Sequence, residues 1–215
     1  MIKAIFWDND GVLVDTERLY FAATKKILES AGINLTKEMY IEYFLIKGNG
    51  TWHLAGEKGL STGEINNLRN RRNELYGKML ESECRIIEGA KDVLENLHGK
   101  FYMGIVTSSR KDHFDLIHKP LGILKYFDFI LTGEDYKKFK PDPEPYLLAV
   151  EKSGFKKNEC VAVEDSERGL ISAVAAGIHC FVIPSELTCN GNFAKADKVL
   201  KDISDLPVEL LRIQG

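Results

Sequence analysis

The chain has 215 residues, of which 44% are hydrophobic and 28% charged, with a formal net charge of −3. This is a globular composition with enough apolar residues for a sizeable core, and it excludes extensive disorder. No block of Lys or Arg stands out, so a nucleic-acid role has little electrostatic support.

An apolar run, Ile2-Lys3-Ala4-Ile5-Phe6-Trp7, leads directly into Asp8-Asn9-Asp10-Gly11. Such a run, ended by Asp and Gly, predicts a buried parallel strand. Ligands of open α/β sheets bind at strand tips, and two acids at a first tip suggest a metal-assisted site with a carboxylate nucleophile. Taken alone, the segment has an Asp-rich turn as its plainer, less favoured reading.

From about Thr16 to Ser82 no strand pattern occurs. Leu19, Ala23, Ile27 and Ala31 recur every four residues, which predicts a helix stopped by Gly32. Thr36 can cap a second helix running through Ile46. Ser61 and Glu64 form a capping box for a third, in which Ile65, Leu68, Leu75 and Met79 supply the expected buried stripe. A crossover between strands needs only one helix, so this stretch is expected to be an inserted helical module.

Beyond Tyr102, strands and helices alternate. Tyr102–Val106, Phe127–Leu131, Cys160–Val163 and His179–Ile183 read as strands. Pro145–Ser153 and Gly169–Ala176 read as helices, ended by Gly154 and Gly177. The fold class expected is α/β, with a Rossmann-like parallel sheet core formed by residues 1–15 and 86–215 and a helical cap formed by residues 16–85.

The four cysteines, Cys84, Cys160, Cys180 and Cys189, form no CxxC pair, so zinc and redox motifs are not indicated. A reducing, cytoplasmic location is expected. The N-terminal apolar run breaks too early for a signal peptide, and the region Ala173 to Pro184 is too short and interrupted to span a membrane. His113, His118 and His179 have no ligand spacing, so core or surface roles are expected. Trp52 and His53 lie near the Lys47–Gly50 loop, where cap-core packing is the expectation.

Further polar groups fall at strand ends: Thr107-Ser108-Ser109-Arg110, Lys140 just before Pro141, and Glu164-Asp165-Ser166. Singly, each has a plain structural reading as a helix cap or a surface charge. Together with Asp8 and Asp10 they make a full set for phosphoryl transfer.

In this order, these residues resemble the four motifs of the haloacid dehalogenase-like hydrolase superfamily, over nearly the whole chain. Asp8-Asn9-Asp10-Gly11-Val12 is similar to the first motif, Thr107-Ser108 to the second, Lys140 to the third and Glu164-Asp165 to the fourth. The helical insert, entered through Asp15-Thr16-Glu17, resembles the cap of the subgroup holding β-phosphoglucomutase and phosphoglycolate phosphatase. Two positions depart from the pattern: Asn9 replaces an apolar residue, and Glu88 replaces a proline. Neither change is expected to alter the chemistry.

The resemblance implies a Mg2+-dependent enzyme with an aspartyl-phosphate intermediate. Asp8 is the implied nucleophile and Asp10 the implied acid and base. Asp8, Asp10 through its carbonyl, Glu164 and Asp165 are the implied metal ligands. Thr107, Ser108 and Lys140 are implied to hold the phosphoryl group. Superfamily members that dehalogenate lack an acid at the position of Asp10, which argues for phosphate esters. A closing cap, hinged near Asp15-Thr16 and Ser82–Arg85, implies a small-molecule substrate. No nucleic-acid or membrane partner is expected, and a monomer is the default.

The acceptor decides between phosphatase and mutase. Lys47-Gly48, Arg72 and the Ser109-Arg110 pair match the β-phosphoglucomutase pattern, whereas Tyr20 stands for a histidine and Thr51 for an arginine. A mutase grips a second phosphate, which Arg does bidentately and Thr cannot. A phosphatase is therefore favoured over a phosphosugar mutase. A catalytically inactive ligand-binding or regulatory domain is the alternative from another class.

Overall fold

The computed structural model describes residues 1–213. The chain divides into two compact units, one formed by residues 1–15 with Arg85 onward, the other by Thr16–Cys84. In chain order the elements begin with β1 (Ala4–Trp7). Next come α1 (Glu17–Ser30), α2 (Lys37–Tyr40), α3 (His53–Glu57) and α4 (Thr62–Glu83). Then follow α5 (Ala90–Leu97), β2 (Tyr102–Val106), α6 (Lys111–His118), β3 (Phe129–Leu131) and α7 (Glu144–Ser153). The chain continues through β4 (Cys160–Glu164), α8 (Glu167–Ala176), β5 (His179–Val182), β6 (Lys198–Val199) and α9 (Leu206–Arg212).

The first unit is an α/β, Rossmann-like fold. Its strands form one parallel sheet in the order β3-β2-β1-β4-β5-β6. Strand order reverses at β1, which pairs with β2 on one side and β4 on the other. That is a topological switch point, where the C-terminal strand ends open a crevice. The sheet is apolar on both faces. Ala4, Phe6, Val106, Ala162 and Cys180 pack with Leu170 and Ala173 of α8 and Tyr146 and Ala149 of α7. Ile5, Trp7, Met103, Ile105, Val161 and Val163, on the alternate face, are buried too. This explains why the strands read as unbroken apolar runs rather than alternating ones.

Strand boundaries differ from the sequence expectation at three ends, and at one of them β4 runs one residue further, to Glu164. β3 starts at Phe129 because Leu124–Tyr126 winds into a 3-10 turn that the Phe127 N–H closes onto the Leu124 carbonyl. β5 ends at Val182, although Ile183 N still bonds to Glu164 O at 2.7 Å. Gly154 and Gly177 cap α7 and α8 in the left-handed conformation.

The second unit is all helical, with its own core of Leu28, Ile33, Leu35, Tyr40 and Ala55. Thr36 caps α2 by accepting the Met39 N–H, and Ser61 and Glu64 form the capping box of α4. The helix begun at α2 continues to Ile46 as a wider π-helical turn, so Lys47 N bonds to Glu42 O. The stripe on α4 is a correction to the sequence reading. Leu68, Arg72, Tyr76 and Leu80 are buried, whereas Ile65, Leu75 and Met79 are only half-buried. The i, i+4 row that faces α1 carries an Arg and a Tyr, so apolar periodicity alone pointed beside it.

Gly104 in β2 faces the Phe129 ring, and a Cβ there would stand 2.1 Å from Phe129 Cζ. Phe129 is itself held against Phe6 and Tyr102. Gly104→Ala is expected to destabilise the fold by about 1–3 kcal/mol, an overpacking effect that denaturant unfolding would read.

Candidate active site

Asp8 leaves β1 directly, and its N–H still pairs with Val163 O at 2.9 Å. The chain then turns on the Asn9 carbonyl, which accepts from Leu13 N at 2.9 Å and Val14 N at 3.1 Å. Gly11 takes φ +85°, and a Cβ there would stand 2.4 Å from Asp165 Oδ2. The turn therefore needs glycine twice over, for its backbone conformation and for the approach of Asp165.

Lys140 reaches this point from the β3–α7 connection, with its peptide to Pro141 cis. Its Nζ donates to Asp8 Oδ1 at 2.7 Å, Glu164 Oε1 at 2.6 Å and Val106 O at 2.9 Å. Three acceptors match the three protons of an ammonium. Lys140 is only 6% exposed. Burial works against its charge, but the Asp8 and Glu164 carboxylates outweigh that and raise its pKa above the ordinary lysine range. Tyr146 OH donates to the same Glu164 oxygen at 2.6 Å, and Arg168 Nη2 holds the Lys140 carbonyl at 2.7 Å. At Gly169 a Cβ would lie 1.9 Å from the Glu164 carboxyl, so the missing side chain makes room for it.

Asp8, Glu164 and Asp165 are all buried, and one oxygen from each lies within 4.8 Å of the others. Asp10 lies alongside. Its Oδ2 accepts from Thr107 Oγ1 at 3.0 Å and Ser109 Oγ at 2.7 Å. The Lys140 ammonium binds two of these four carboxylates, Asp8 and Glu164. Burial is the largest influence on Asp8 and pushes its carboxyl up to about 8, against the downward pull of Lys140, with Glu164 and Asp10 adding to the rise. An all-oxygen donor set with too little positive charge suits a hard divalent cation.

The second-strand loop is braced from below. Tyr136 OH donates to Thr107 O at 2.7 Å, and Gly133 N to Ser109 O at 3.0 Å. Burial pushes the Tyr136 hydroxyl up to about 12, which leaves it a donor at neutral pH. Ser108 is exposed and Ser109 half-buried. Arg110 turns outward and forks onto Asp112, with contacts of 3.0 and 2.6 Å.

The structure therefore brings together Asp8, Asp10, Thr107, Ser109, Lys140, Glu164 and Asp165. Ser108 adjoins them in the same loop, and Arg110 is engaged with its own helix. Lys47, Gly48 and Arg72 belong to the helical unit. Lys47 pairs with Glu42 at 2.5 Å on an exposed surface, and Gly48 follows it in the loop. Arg72 is buried, 4.2 Å from the Tyr20 ring centre and 5.5 Å from that of Trp52, and donates to Thr24 and Asn73. Sequence reasoning missed Tyr136, Tyr146 and Arg168. Each sits in a helix or loop pattern that looks like ordinary core or surface, and no spacing set them apart.

The profile of the family described as haloacid dehalogenase-like hydrolase matches residues 5–183. The chain belongs to this family. A phosphorylated carbohydrates phosphatase of Thermotoga maritima is 29% identical over 82% of each chain. A β-phosphoglucomutase of Bacillus subtilis is 29% identical over 98% of this chain and 94% of its own. The crystal structure of CbbY from Rhodobacter sphaeroides in complex with phosphate superposes with a TM-score of 0.78, at 25% identity over 96% of each chain. The family match makes this chain a haloacid dehalogenase-like hydrolase, and its relatives include the phosphatase and the mutase just named.

The raised pKa of Asp8 gives stability a sign. Between the unfolded value of 3.8 and about 8, the metal-free native state holds a proton that the unfolded chain has lost. Stability from this group is therefore greatest at low pH and declines as pH rises toward 8. In EDTA, the melting temperature is expected to fall more from pH 6 to pH 8 in the parent than in Asp8→Asn. A divalent cation needs the ionised carboxylate, so added Mg2+ is expected to stabilise the parent more at pH 8 than at pH 6. Thermal unfolding at both pH values checks each expectation.

Proposed function

We propose that this enzyme is a Mg2+-dependent phosphomonoester hydrolase that works through an aspartyl-phosphate on Asp8. The observation that carries the reading is the pair of differently held carboxylates. Asp8 is bound to Lys140, and Asp10 is turned to the hydroxyls of Thr107 and Ser109. Two acids in different surroundings can take the two roles of nucleophile and proton carrier.

Asp8, Asp165, the Asp10 carbonyl and Glu164, directly or through water, would hold Mg2+. When bound, Mg2+ supplies the positive charge that lets a carboxylate approach an anionic phosphate. An Asp8 oxygen attacks phosphorus as the bond to the leaving oxygen breaks. Asp10 gives its proton to that oxygen. The ionised Asp10 then takes a proton from water, which attacks the phosphorus of the aspartyl-phosphate and frees Asp8. Thr107 and the Ser108 N–H hold phosphoryl oxygens, and Lys140 offsets the charge shared by Asp8 and the phosphoryl group.

Water is the proposed acceptor. Tyr20 is stacked on Phe44 and edge-on to Tyr76, and Thr51 is buried, so neither position offers a cation to a second phosphate. Lys47, Gly48, Ser109, Arg110 and Arg72 are retained as proposed substrate-side residues. Arg72 in this reading shapes the helical unit through Tyr20 and Trp52. The proposed substrates are phosphorylated carbohydrates and similar small esters. All four cysteines are free thiols, which fits the proposed cytoplasmic location. Among the described residues, no helix is long and apolar enough to cross a membrane.

The test is phosphate release from a panel of small phosphomonoesters with Mg2+. β-Glucose 1-phosphate with a bisphosphate primer is assayed beside it. Asp8→Asn is expected to lower turnover by at least about a thousandfold, and EDTA to abolish it. Glucose 6-phosphate with little free phosphate would make the protein a mutase. Inertness to the whole panel would favour a binding domain.

A further inference from the structure

Asn9 stands between the two carboxylates and is fully buried. Its side-chain Oδ1 lies 2.7 Å from Nε2 of His118, which is 2% exposed. Oδ1 carries no proton, so Nε2 is the donor and Nδ1 is a bare acceptor. Two buried atoms of the pair, Asn9 Nδ2 and His118 Nδ1, then have no hydrogen-bond partner among the described residues. Leaving such atoms unpaired is destabilising, and an apolar pair of similar shape would avoid the loss. Packing alone therefore does not account for the pair.

The location does. Asn9 is the pivot of the turn that carries Asp10, because its carbonyl accepts the Leu13 and Val14 N–H groups. His118 ends α6, the helix that follows the Thr107–Arg110 loop, and the Phe114 ring lies 4.3 Å from its imidazole. The Asp10 turn is thus tied to the segment after β2 at two points. Thr107 and Ser109 hold the Asp10 carboxylate at the start of that segment, and His118 holds Asn9 at its end.

We propose that the His118–Asn9 hydrogen bond is a positioning device for Asp10, fixing the backbone between the two carboxylates so that the Asp10 carboxyl meets the leaving-group oxygen. The inference rests on the reading of Asp10 as the acid. It has a consequence that a purely structural bond would lack. An alkyl alcohol must be protonated as it leaves, whereas p-nitrophenolate leaves without a proton. Misplacing the acid therefore slows formation of the aspartyl-phosphate from alkyl esters and spares its formation from aryl esters, whereas the later action of Asp10 on water is common to both.

The experiment measures the single-turnover rate of leaving-group release by the full-length protein in excess with Mg2+, for p-nitrophenyl phosphate and for a hexose phosphate, so that only formation of the aspartyl-phosphate is read. In His118→Leu, the single-turnover rate for the hexose phosphate is expected to fall about tenfold to a hundredfold, against less than about threefold for p-nitrophenyl phosphate. The enzyme concentration that gives half the maximal rate is expected to change little for either. His118→Gln, which can place an N–H near the Nε2 position, is expected to regain most of the alkyl rate. The double variant Asn9→Leu/His118→Leu leaves no polar atom unpaired, so it keeps the test valid if the single variant folds poorly, and it should show the same split. Asp10→Asn is the control. Without the split in Asp10→Asn, the acid assignment itself fails. With the split there, equal slowing of both esters by the His118 and double variants, or slowing of neither, overturns the positioning role.

Discussion

One buried ammonium joins three neighbouring strands at their C-terminal ends. Lys140 Nζ reaches Asp8 just past β1, the Val106 carbonyl at the end of β2 and Glu164 at the end of β4. Taking a lysine out of water costs several kcal/mol, and only well-placed acceptors offset it. Here each proton has one. The same geometry makes the lysine hard to remove, because an uncompensated buried carboxylate typically destabilises by about 3–5 kcal/mol. Tyr146 and Arg168 extend the arrangement outward by fixing one carboxylate and the lysine backbone.

The network balances only part of the local charge. Asp165 and Asp10 sit beside it, and the sheet register leaves the acids no room to separate. β1 pairs with β4 so that Trp7 lies opposite Val163, which brings the residues after each strand side by side. Gly11 and Gly169 then let the Asp165 and Glu164 carboxyls approach closer than any side chain at those positions would permit. A rigid parallel sheet thus holds acids together against their mutual repulsion, which adds to burial, the larger cause of the raised Asp8 pKa. Such a site gains from a bound cation both in stability and in chemistry.

Much of this was legible in the sequence, for a physical reason. Strands buried on both faces read as apolar runs, and the motif acids and hydroxyls fall at their ends, so β2 and the site around Asp8, Asp10, Thr107, Lys140 and Glu164-Asp165 were placed from the chain alone. Caps were legible for the same reason: Thr36 and Ser61-Glu64 act through bonds local in sequence. Tertiary contacts were not. Tyr136 and Tyr146 look like core aromatics until their hydroxyls are seen against Thr107 O and Glu164. The buried row of α4 was misplaced because its second member is an arginine, and nothing in periodicity says that two aromatic rings bracket it.

These misses share a pattern. Arg72 and Asn9 each put a polar side chain where an apolar one would have met the local rule. A chain under pressure only to fold would drift from both, since each breaks the agreement between burial and polarity that makes a fold consistent. Arg72 recovers its solvation from Thr24, Asn73 and the faces of Tyr20 and Trp52. Asn9 recovers less: its carbonyl oxygen is satisfied by His118, while its amide and the second imidazole nitrogen are not. Trp7 Nε1, at the end of β1 two residues earlier, is also without a partner among the described residues. The cost of orphaned polar atoms is therefore concentrated beneath the turn that carries Asp8 and Asp10. Strain of that kind persists where it fixes a geometry that softer packing would let drift.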